Sequence, residues 1–260
     1  MRYHFPAVSL ANEYGLVAIS PNINQEMMEC AYRQGIFPWP QAIPFIIETS
    51  EGTIDPSQII PWFSPDPRAV FDLDSLKLNR SWKRAILSQN WTAKINEEAL
   101  FKQILQECAC EVRRKETWLN QDLMSCYSEM FQQKKAYCIG IFLESTLVGG
   151  IFGIQLGNYF SGESMFNSRT GASKMALGLM MALLKSNKLN WLDSQSLSPA
   201  TKLLGALEIE RTVFMQKLDM ALQKNKQEKW KLNIDTWKKK HGSLLQDSKG
   251  LQSFIIDKLS

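Results

Sequence analysis

Apolar residues recur at the spacing of an amphipathic helix in seven stretches of the chain. In the first stretch, Asn24 can cap the helix and Gly35 can end it. Asn96, Asn120 and Ser198 are placed to cap three of the later helices. The sequence predicts helices over residues 24–34, 78–89, 96–110, from 120 onwards, 172–186, from 198 onwards and 211–224.

Short apolar runs predict strands between these helices. The runs that have the length and apolar content of strands are 91–95, 137–143, 147–156, 159–165 and 190–195. The three central runs are separated only by Glu144-Ser145 and by Gly157-Asn158, and the second separator is a tight-turn signal. These connections predict an antiparallel meander, so the expected fold class is α+β with a mostly antiparallel sheet.

Proline-rich segments divide the chain. Residues 40–61 have the composition of a long loop or an insertion, and 61–68 carry three prolines that favour a stiff, extended segment. We therefore expect a small N-terminal domain over 1–66, a larger domain over 67–222 and a basic C-terminal extension over 223–260.

Charge is unevenly distributed along the chain. The 260 residues carry a formal net charge of +4, but 221–260 contain nine lysines and four acidic residues. The remaining body is close to neutral, so any nucleic-acid contact there must use a local basic patch. No run is long and apolar enough to span a membrane, and the N-terminus does not have the pattern of a signal peptide.

Histidine and cysteine usage limits the possible chemistry. The only histidines, His4 and His241, lie near the chain ends, which argues against histidine-based nucleophilic catalysis and against a histidine metal site. The five cysteines include no CxxC pair, so we expect buried free thiols, no metal and a reducing, cytoplasmic location.

Two segments have the residue types of a nucleic-acid contact. Trp39 follows a proline in a rigid loop and could stack on a nucleobase, although filling a small core is the alternative. Arg80, Lys83 and Arg84 share one helical face and could bind phosphates, although a solvated surface is the alternative.

Two other segments place acids where chemistry could occur. Glu163 lies among apolar residues, so it is either functional or a structural acid paired with a buried arginine or backbone amides. Asp193 and Gln195 alternate along a predicted strand and should therefore point the same way at its end. Hydrogen bonding at a strand end is the structural alternative for this pair.

Taken together and in this order, these segments resemble the leucyl/phenylalanyl-tRNA–protein transferase family. The motifs that carry the resemblance are AYRQGIFPW (31–39), WFSPDPR (62–68), TW (117–118), LVGG (147–150), GESMF (162–166), ASK (172–174), DxQ (193–195) and LGA (204–206). The resemblance covers about residues 5–220. The chain departs from the family pattern mainly at Ser194, at 200–203, in the long 40–61 segment and in the tail.

The resemblance implies a small N-terminal domain and a GNAT-like (acetyltransferase-type) larger domain. It implies transfer of Leu or Phe from aminoacyl-tRNA to proteins with N-terminal Arg or Lys, which marks them for degradation. No cofactor is implied, and we expect a cytoplasmic monomer. Two alternatives remain open, namely a related transferase with a changed donor or acceptor, and a tRNA-binding protein that lacks catalysis.

The resemblance also implies roles for individual residues. By motif, Trp39 and Trp118 would flank the terminal adenosine, and Arg80, Lys83 and Arg84 would contact phosphates. The reactive centre would consist of Glu163, Asp193 and Gln195. The pocket for the donor side chain would be lined by Ile151, Phe160, Leu177, Met180, Leu184 and Leu192.

A site without histidine suits this reaction, because an aminoacyl ester is already activated. The attacking α-amine has a pKa of about 7.7–8.0, so roughly a tenth of it is neutral at pH 7. We expect catalysis to rest on positioning and hydrogen bonding. In this hypothesis Asp193 orients Gln195 and stabilises the developing cation, Gln195 contacts the reacting centre, and Glu163 attracts the acceptor.

Overall fold

Seven of the strands form one large sheet. The computed structural model describes residues 3–40, 59–76, 78–110, 118–223 and 246–259, together with the backbone of 47–49 and 52–54. The strands of this part are β1 (Leu16–Ser20), β2 (Phe37–Pro38), β3 (Ile47–Thr49), β4 (Gly52–Ile54), β5 (Ile60–Phe63), β6 (Arg68–Asp72), β7 (Trp91–Ile95), β8 (Ala136–Leu143), β9 (Thr146–Leu156), β10 (Tyr159–Asn167), β11 (Trp191–Gln195) and β12 (Leu207–Ile209). The large sheet has the order β12-β6-β11-β10-β9-β8-β7.

The helices of the described residues cover both faces of this sheet. They are α1 (Gln25–Arg33), α2 (Arg80–Leu87), α3 (Glu98–Cys108), α4 (Gln121–Gln132), α5 (Ala172–Ser186), α6 (Pro199–Leu203), α7 (Arg211–Gln223) and α8 (Ser248–Leu259). Alternate strand residues enter two separate apolar clusters, as Ile151 and its neighbour Phe152 illustrate. One cluster contains α2, α5 and α8, and the other contains α1, α3, α4 and α7.

The predicted meander and the α+β class are confirmed. β8, β9 and β10 pair antiparallel in sequence, and among the described strands of the large sheet only β10 and β11 pair in parallel. The helix α5 connects these two parallel strands, as such a crossover requires.

The small sheet has the order β1-β5-β2 and packs into the same cluster as α1, α3, α4 and α7. The domain boundary expected near residues 66 and 67 falls between β5 and β6, which belong to different sheets; it stays a prediction. Within the expected 40–61 loop, β3 and β4 form a two-stranded hairpin. Residues 41–46, 50–51 and 55–58 lie outside the described residues.

The expected caps are confirmed at three helices and wrong at one. The side chains of Asn24, Asn120 and Ser198 accept hydrogen bonds from the first turns of α1, α4 and α6. Asn96 does not cap α3, because its backbone is left-handed (φ 51°) and its side chain accepts the Cys138 N–H at 2.7 Å. The residue at the cap position of α3 is Glu97, which makes no side-chain capping bond.

Two further expectations need correction. The cysteines are not all buried, since Cys30 and Cys110 are partly exposed. The C-terminal extension is not simply an appended basic segment, because α8 buries four apolar side chains against the body of the molecule. No helix of the described residues is long and apolar enough to cross a membrane.

Candidate active site

A cavity opens where the two parallel strands separate. β10 and β11 pair at one position, Ser161 opposite Asp193, and their regular ladders with other strands are interrupted just beyond it. The register of β10 shifts between Gly162 and Ser164, and that of β11 shifts between Asp193 and Gln195. These bulges re-aim the side chains of both strands into the gap. The cavity has a volume of about 490 Å³.

Glu163 is the acidic side chain of the cavity wall, and only 9% of the residue is exposed. Three donors converge on one of its oxygens, Oε2. They are the hydroxyl of Tyr32 (2.6 Å), the hydroxyl of Tyr127 (2.9 Å) and Nε2 of Gln195 (3.1 Å). The other oxygen, Oε1, is buried and accepts no hydrogen bond of normal geometry from the described residues. The carboxylate therefore presents one free acceptor at a site where unsatisfied acceptors are costly.

Burial determines the protonation of this cluster. Burial raises the pKa of Glu163 above its usual value, and the hydrogen bonds from Tyr32 and the other donors only partly oppose this rise. Burial and the nearby Glu163 charge raise the pKa of Tyr32 and Tyr127 well above their usual range. Both tyrosines therefore stay protonated at neutral pH and act as donors.

Asp193 lies beside this cluster in a fully buried ion pair with Arg68. Arg68 donates from Nε to Oδ1 (2.9 Å) and from Nη2 to Oδ2 (2.7 Å), which is the bidentate geometry of a strong pair. The hydroxyl of Tyr159 also donates to Oδ2 at 2.6 Å. Asp193 does not line the cavity, and its oxygens are occupied by protein donors.

Gln195 connects the two acids. Its backbone N–H donates to Asp193 Oδ1 (2.9 Å), and its side-chain Nε2 donates to Glu163 Oε2 (3.1 Å) and Ser161 Oγ (3.3 Å). The expectation that Asp193 and Gln195 point the same way is wrong. Gln195 has a left-handed backbone (φ 65°) after the bulge, which breaks the strand alternation.

Two half-buried tryptophans form part of the cavity wall. Trp39 packs edge-to-face on Phe63 with centroids 5.8 Å apart, and Trp118 packs similarly on Tyr127 at 6.3 Å. Trp39 therefore neither fills a closed core, which was its structural alternative, nor lies free in solvent. Trp39 directly follows β2, Trp118 lies shortly before α4, and both rings reach the same cavity.

The six residues expected in the apolar pocket all belong to one buried cluster. Ile151, Leu177 and Leu192 line the cavity itself. The other three, Phe160, Met180 and Leu184, are buried in the cluster without lining the cavity. The structure adds Phe71 and Met165 to the apolar lining, which the sequence analysis did not single out.

The three cations expected at phosphates are exposed on α2. Arg80, Lys83 and Arg84 lie opposite the buried side chains of Trp82 and Ile86. The neighbouring helix α5 contributes Ser173 and Leu177 to the cavity. α2 and α5 are bridged by a hydrogen bond from Lys174 Nζ to Ser81 Oγ (2.6 Å).

Sequence reasoning missed most of the groups that hold the two acids and Gln195. The missed residues are Tyr32, Arg68, Tyr127, Tyr159 and Ser161. Arg68 and Tyr32 stand inside the specific motifs at 62–68 and 31–39, so their motif positions were a usable signal. Tyr127 lies on the buried face of α4, and nothing local in the sequence distinguishes it from a core tyrosine.

Comparisons of the sequence with known proteins point to one family. The model of the family described as "Leucyl/phenylalanyl-tRNA protein transferase" matches residues 70–219. A leucyl/phenylalanyl-tRNA–protein transferase of Colwellia psychrerythraea is 35% identical over 85% of this chain and 88% of that protein. One of Shewanella sediminis is 34% identical over 84% and 86%.

Among solved structures, a functionally unknown conserved protein from Staphylococcus epidermidis is similar with a TM-score of 0.38 and 7% identity, over 75% of this chain and 68% of that one. The family model covers more than half of the chain, and the relatives extend the match to most of its length. The chain therefore belongs to the leucyl/phenylalanyl-tRNA–protein transferase family.

Proposed function

We propose that this protein transfers leucine or phenylalanine from an aminoacyl-tRNA to the N-terminal amine of acceptor proteins that begin with arginine or lysine. Family membership supports the reaction, and the single observation that carries it to this site is Glu163. Its Oε1 is a buried, unoccupied acceptor beside Gln195, in a cavity with an apolar wall and two tryptophans.

The reaction requires little chemistry from the protein. The amine nitrogen attacks the ester carbonyl carbon, a C–N bond forms, and the C–O bond to the terminal ribose breaks. The nitrogen loses a proton and the ribose oxygen gains one, so no redox step or cofactor is needed. Holding amine and ester together can supply a large part of the rate.

We assign the amine to Glu163 and Gln195. The Glu163 carboxylate attracts the cationic acceptor terminus, and its Oε1 is buried without a hydrogen-bond partner among the described residues. Both amide hydrogens of Gln195 are directed at Ser161 and Glu163, which leaves its carbonyl oxygen to orient the same amine.

Asp193 acts as a positioning residue in this proposal. Its oxygens are occupied by Arg68, Tyr159 and the Gln195 N–H, so it holds Gln195 in its left-handed conformation. The cation-stabilising role expected for Asp193 is better supplied by Glu163, which faces the cavity.

The donor occupies the rest of the cavity. Trp39 and Trp118 stack on the terminal adenosine, a contact worth about 1–3 kcal/mol per base. The apolar wall receives the Leu or Phe side chain, and selectivity between such side chains should be broad because one methylene is worth only about 1–3 kcal/mol. Arg80, Lys83 and Arg84 bind phosphates of the tRNA.

We further propose a GNAT-like fold for the larger domain, because β10 and β11 are parallel and separate at the site after one pairing. We also propose that the protein acts as a monomer. The substrates, charged tRNA and newly exposed protein N-termini, place the reaction in the cytoplasm, where it marks acceptors for degradation.

One transfer assay tests the proposal. The purified chain is mixed with labelled Phe-tRNA or Leu-tRNA and a peptide that begins with arginine, and label on the peptide is measured. We expect transfer to this peptide and none to the same peptide with an acetylated N-terminus. Tight tRNA binding without transfer would refute the enzyme, and transfer only from other aminoacyl-tRNAs would favour a related transferase with a changed donor.

A further inference from the structure

The C-terminal helix α8 packs into the same apolar cluster as α2, the helix whose cations we propose to bind tRNA phosphates. Its apolar side chains Leu251, Phe254, Ile255 and Leu259 are buried in the cluster that contains α2 and α5. This helix lies beyond residues 70–219, which the family model matches. A helix that lies outside the family match therefore covers part of one face of the large sheet.

Three helices meet closely at Gly178 of α5. A Cβ atom at this position would lie 3.0 Å from Trp82 Cζ3 of α2 and 3.3 Å from Ile255 Cγ2 of α8. Trp82 is fully buried, and its Nε1 donates to the carbonyl of Leu204 at 3.1 Å. Trp82 of α2 and Ile255 of α8 thus both pack on α5 at the same point. No residue larger than glycine fits there without a shift of a neighbour.

Hydrogen bonds join the start of α8 to Gln89, in the short segment that follows α2. Gln252 Nε2 and Ser248 Oγ both donate to the carbonyl of Gln89, at 3.0 and 3.4 Å. The side chain of Asp247 accepts from the backbone N–H groups of Lys249 and Gly250, which fixes the first turn of α8. Apolar packing at Trp82 and hydrogen bonds just beyond the end of α2 therefore both restrain this helix.

α2 needs such restraint. It has eight residues, and helices of that length are marginal in water without tertiary packing. Its outer face carries the exposed cations Arg80, Lys83 and Arg84. A phosphate-binding face is useful only if these cations hold a fixed spacing from the cavity.

We propose that α8 is a positioning element for tRNA binding: it holds α2 against α5 so that the cations of α2 meet the phosphates of the donor. The proposal rests on the proposed function. It assigns the C-terminal helix an effect on donor affinity that acts through packing, not through its own charge.

The first test measures KM for Phe-tRNA and kcat of the full chain with Ile255→Ala, and separately with Ser248→Ala/Gln252→Ala. We expect KM to rise on the order of fivefold, as for loss of about one phosphate contact, with kcat within about twofold of the wild type. The hydrogen-bond variant keeps the test decisive if Ile255→Ala fails to fold. The matched control is Ile104→Ala, a buried truncation on the opposite face of the sheet; its KM should stay unchanged.

A coupling experiment identifies the route. Ile255→Ala is repeated in a background in which Arg80, Lys83 and Arg84 are replaced by glutamine. We expect no further rise in KM there, because α8 acts through those cations. An equal rise in that background, an equal rise in the Ile104→Ala control, or unchanged KM in both folded α8 variants would overturn the inference. A wild-type chain that transfers nothing would instead refute the proposed function.

Discussion

Glu163 is held by three donors on one oxygen and by none of the described residues on the other. Tyr32 comes from α1 and Tyr127 from α4, so helices from different parts of the chain fix the direction of one carboxylate. This asymmetry leaves one acceptor of an oriented, buried acid without a hydrogen-bond partner among the described residues. It also makes the protonation of Glu163 sensitive to its surroundings.

The raised pKa of Glu163 predicts a pH dependence of stability with a definite sign. The folded state binds this proton more tightly than the unfolded state, so the contribution is full below about pH 4.5 and is lost as pH rises towards the folded pKa. The free energy of unfolding of the wild type should therefore fall relative to Glu163→Gln between these values. Urea unfolding of both proteins at a series of pH values measures the difference. A wild-type free energy of unfolding that rises with pH relative to that of Glu163→Gln would contradict the pKa shift.

Arg68 and Asp193 form the second buried unit, and the guanidinium is also packed between the rings of Phe37 and Phe214 at 4.7 and 4.4 Å. Removing one partner leaves the other charge buried, which costs about 3–5 kcal/mol. We expect Arg68→Met to lose about this much stability, and Arg68→Met/Asp193→Asn to lose clearly less than the sum of the single changes. Denaturant unfolding of the three variants gives the coupling, and additive losses would show that the pair is not a unit.

At this scale the sequence identifies the important residues but not their partners. Glu163, Asp193 and Gln195 were recognised from their motifs, and Gln195 makes hydrogen bonds to both acids, although Asp193 does not line the cavity. A buried arginine was considered as a partner for Glu163, whereas Arg68 in fact pairs with Asp193, 125 positions away. Which acid an arginine meets depends on the strand order, and no local pattern contains that information.

At the scale of elements, the helices and strands were easier to predict than the bulges and the left-handed residue within them. The helices and strands follow the apolar spacing and the capping residues, because these depend on a few neighbouring positions. The bulges in β10 and β11 and the left-handed Gln195 were not predicted. Glutamine has no preference for positive φ, so such a conformation arises only where the surrounding contacts impose it. These irregular positions are the ones that create the cavity.

The position of Trp39, directly after β2, predicts that its ring contributes to donor binding. Its ring is held by Phe63 and Phe37 but faces the cavity, so it should bind an adenine face. Trp39→Ala should raise KM for the donor by a factor equivalent to the loss of one stacking contact, about 1–3 kcal/mol of binding free energy. Trp39→Phe should raise KM less. Steady-state kinetics on Phe-tRNA checks both variants. Equal effects of alanine and phenylalanine would exclude stacking.

At the scale of the whole molecule, the site depends on both sheets. Gly35 accepts a hydrogen bond from Arg68 Nη1 (3.2 Å), and Tyr32 reaches Glu163, so the N-terminal segment supports the acids of the large sheet. Composition indicated only a basic tail at the other end of the chain, whereas α8 is packed into the core. Charge counts describe solubility and steering, and they do not show where an amphipathic segment packs.

The central claim is that Gln195 and Glu163 act on the attacking amine. The most direct test is the single-turnover rate of transfer from Phe-tRNA to an arginine peptide, with both substrates saturating, for the wild type and Gln195→Ala. Gln121→Ala, an exposed change at the start of α4, is the matched control. We predict a rate lower by about 100-fold for Gln195→Ala and a wild-type rate for the control. An unchanged rate for a folded Gln195→Ala protein would contradict the assignment of the reactive centre.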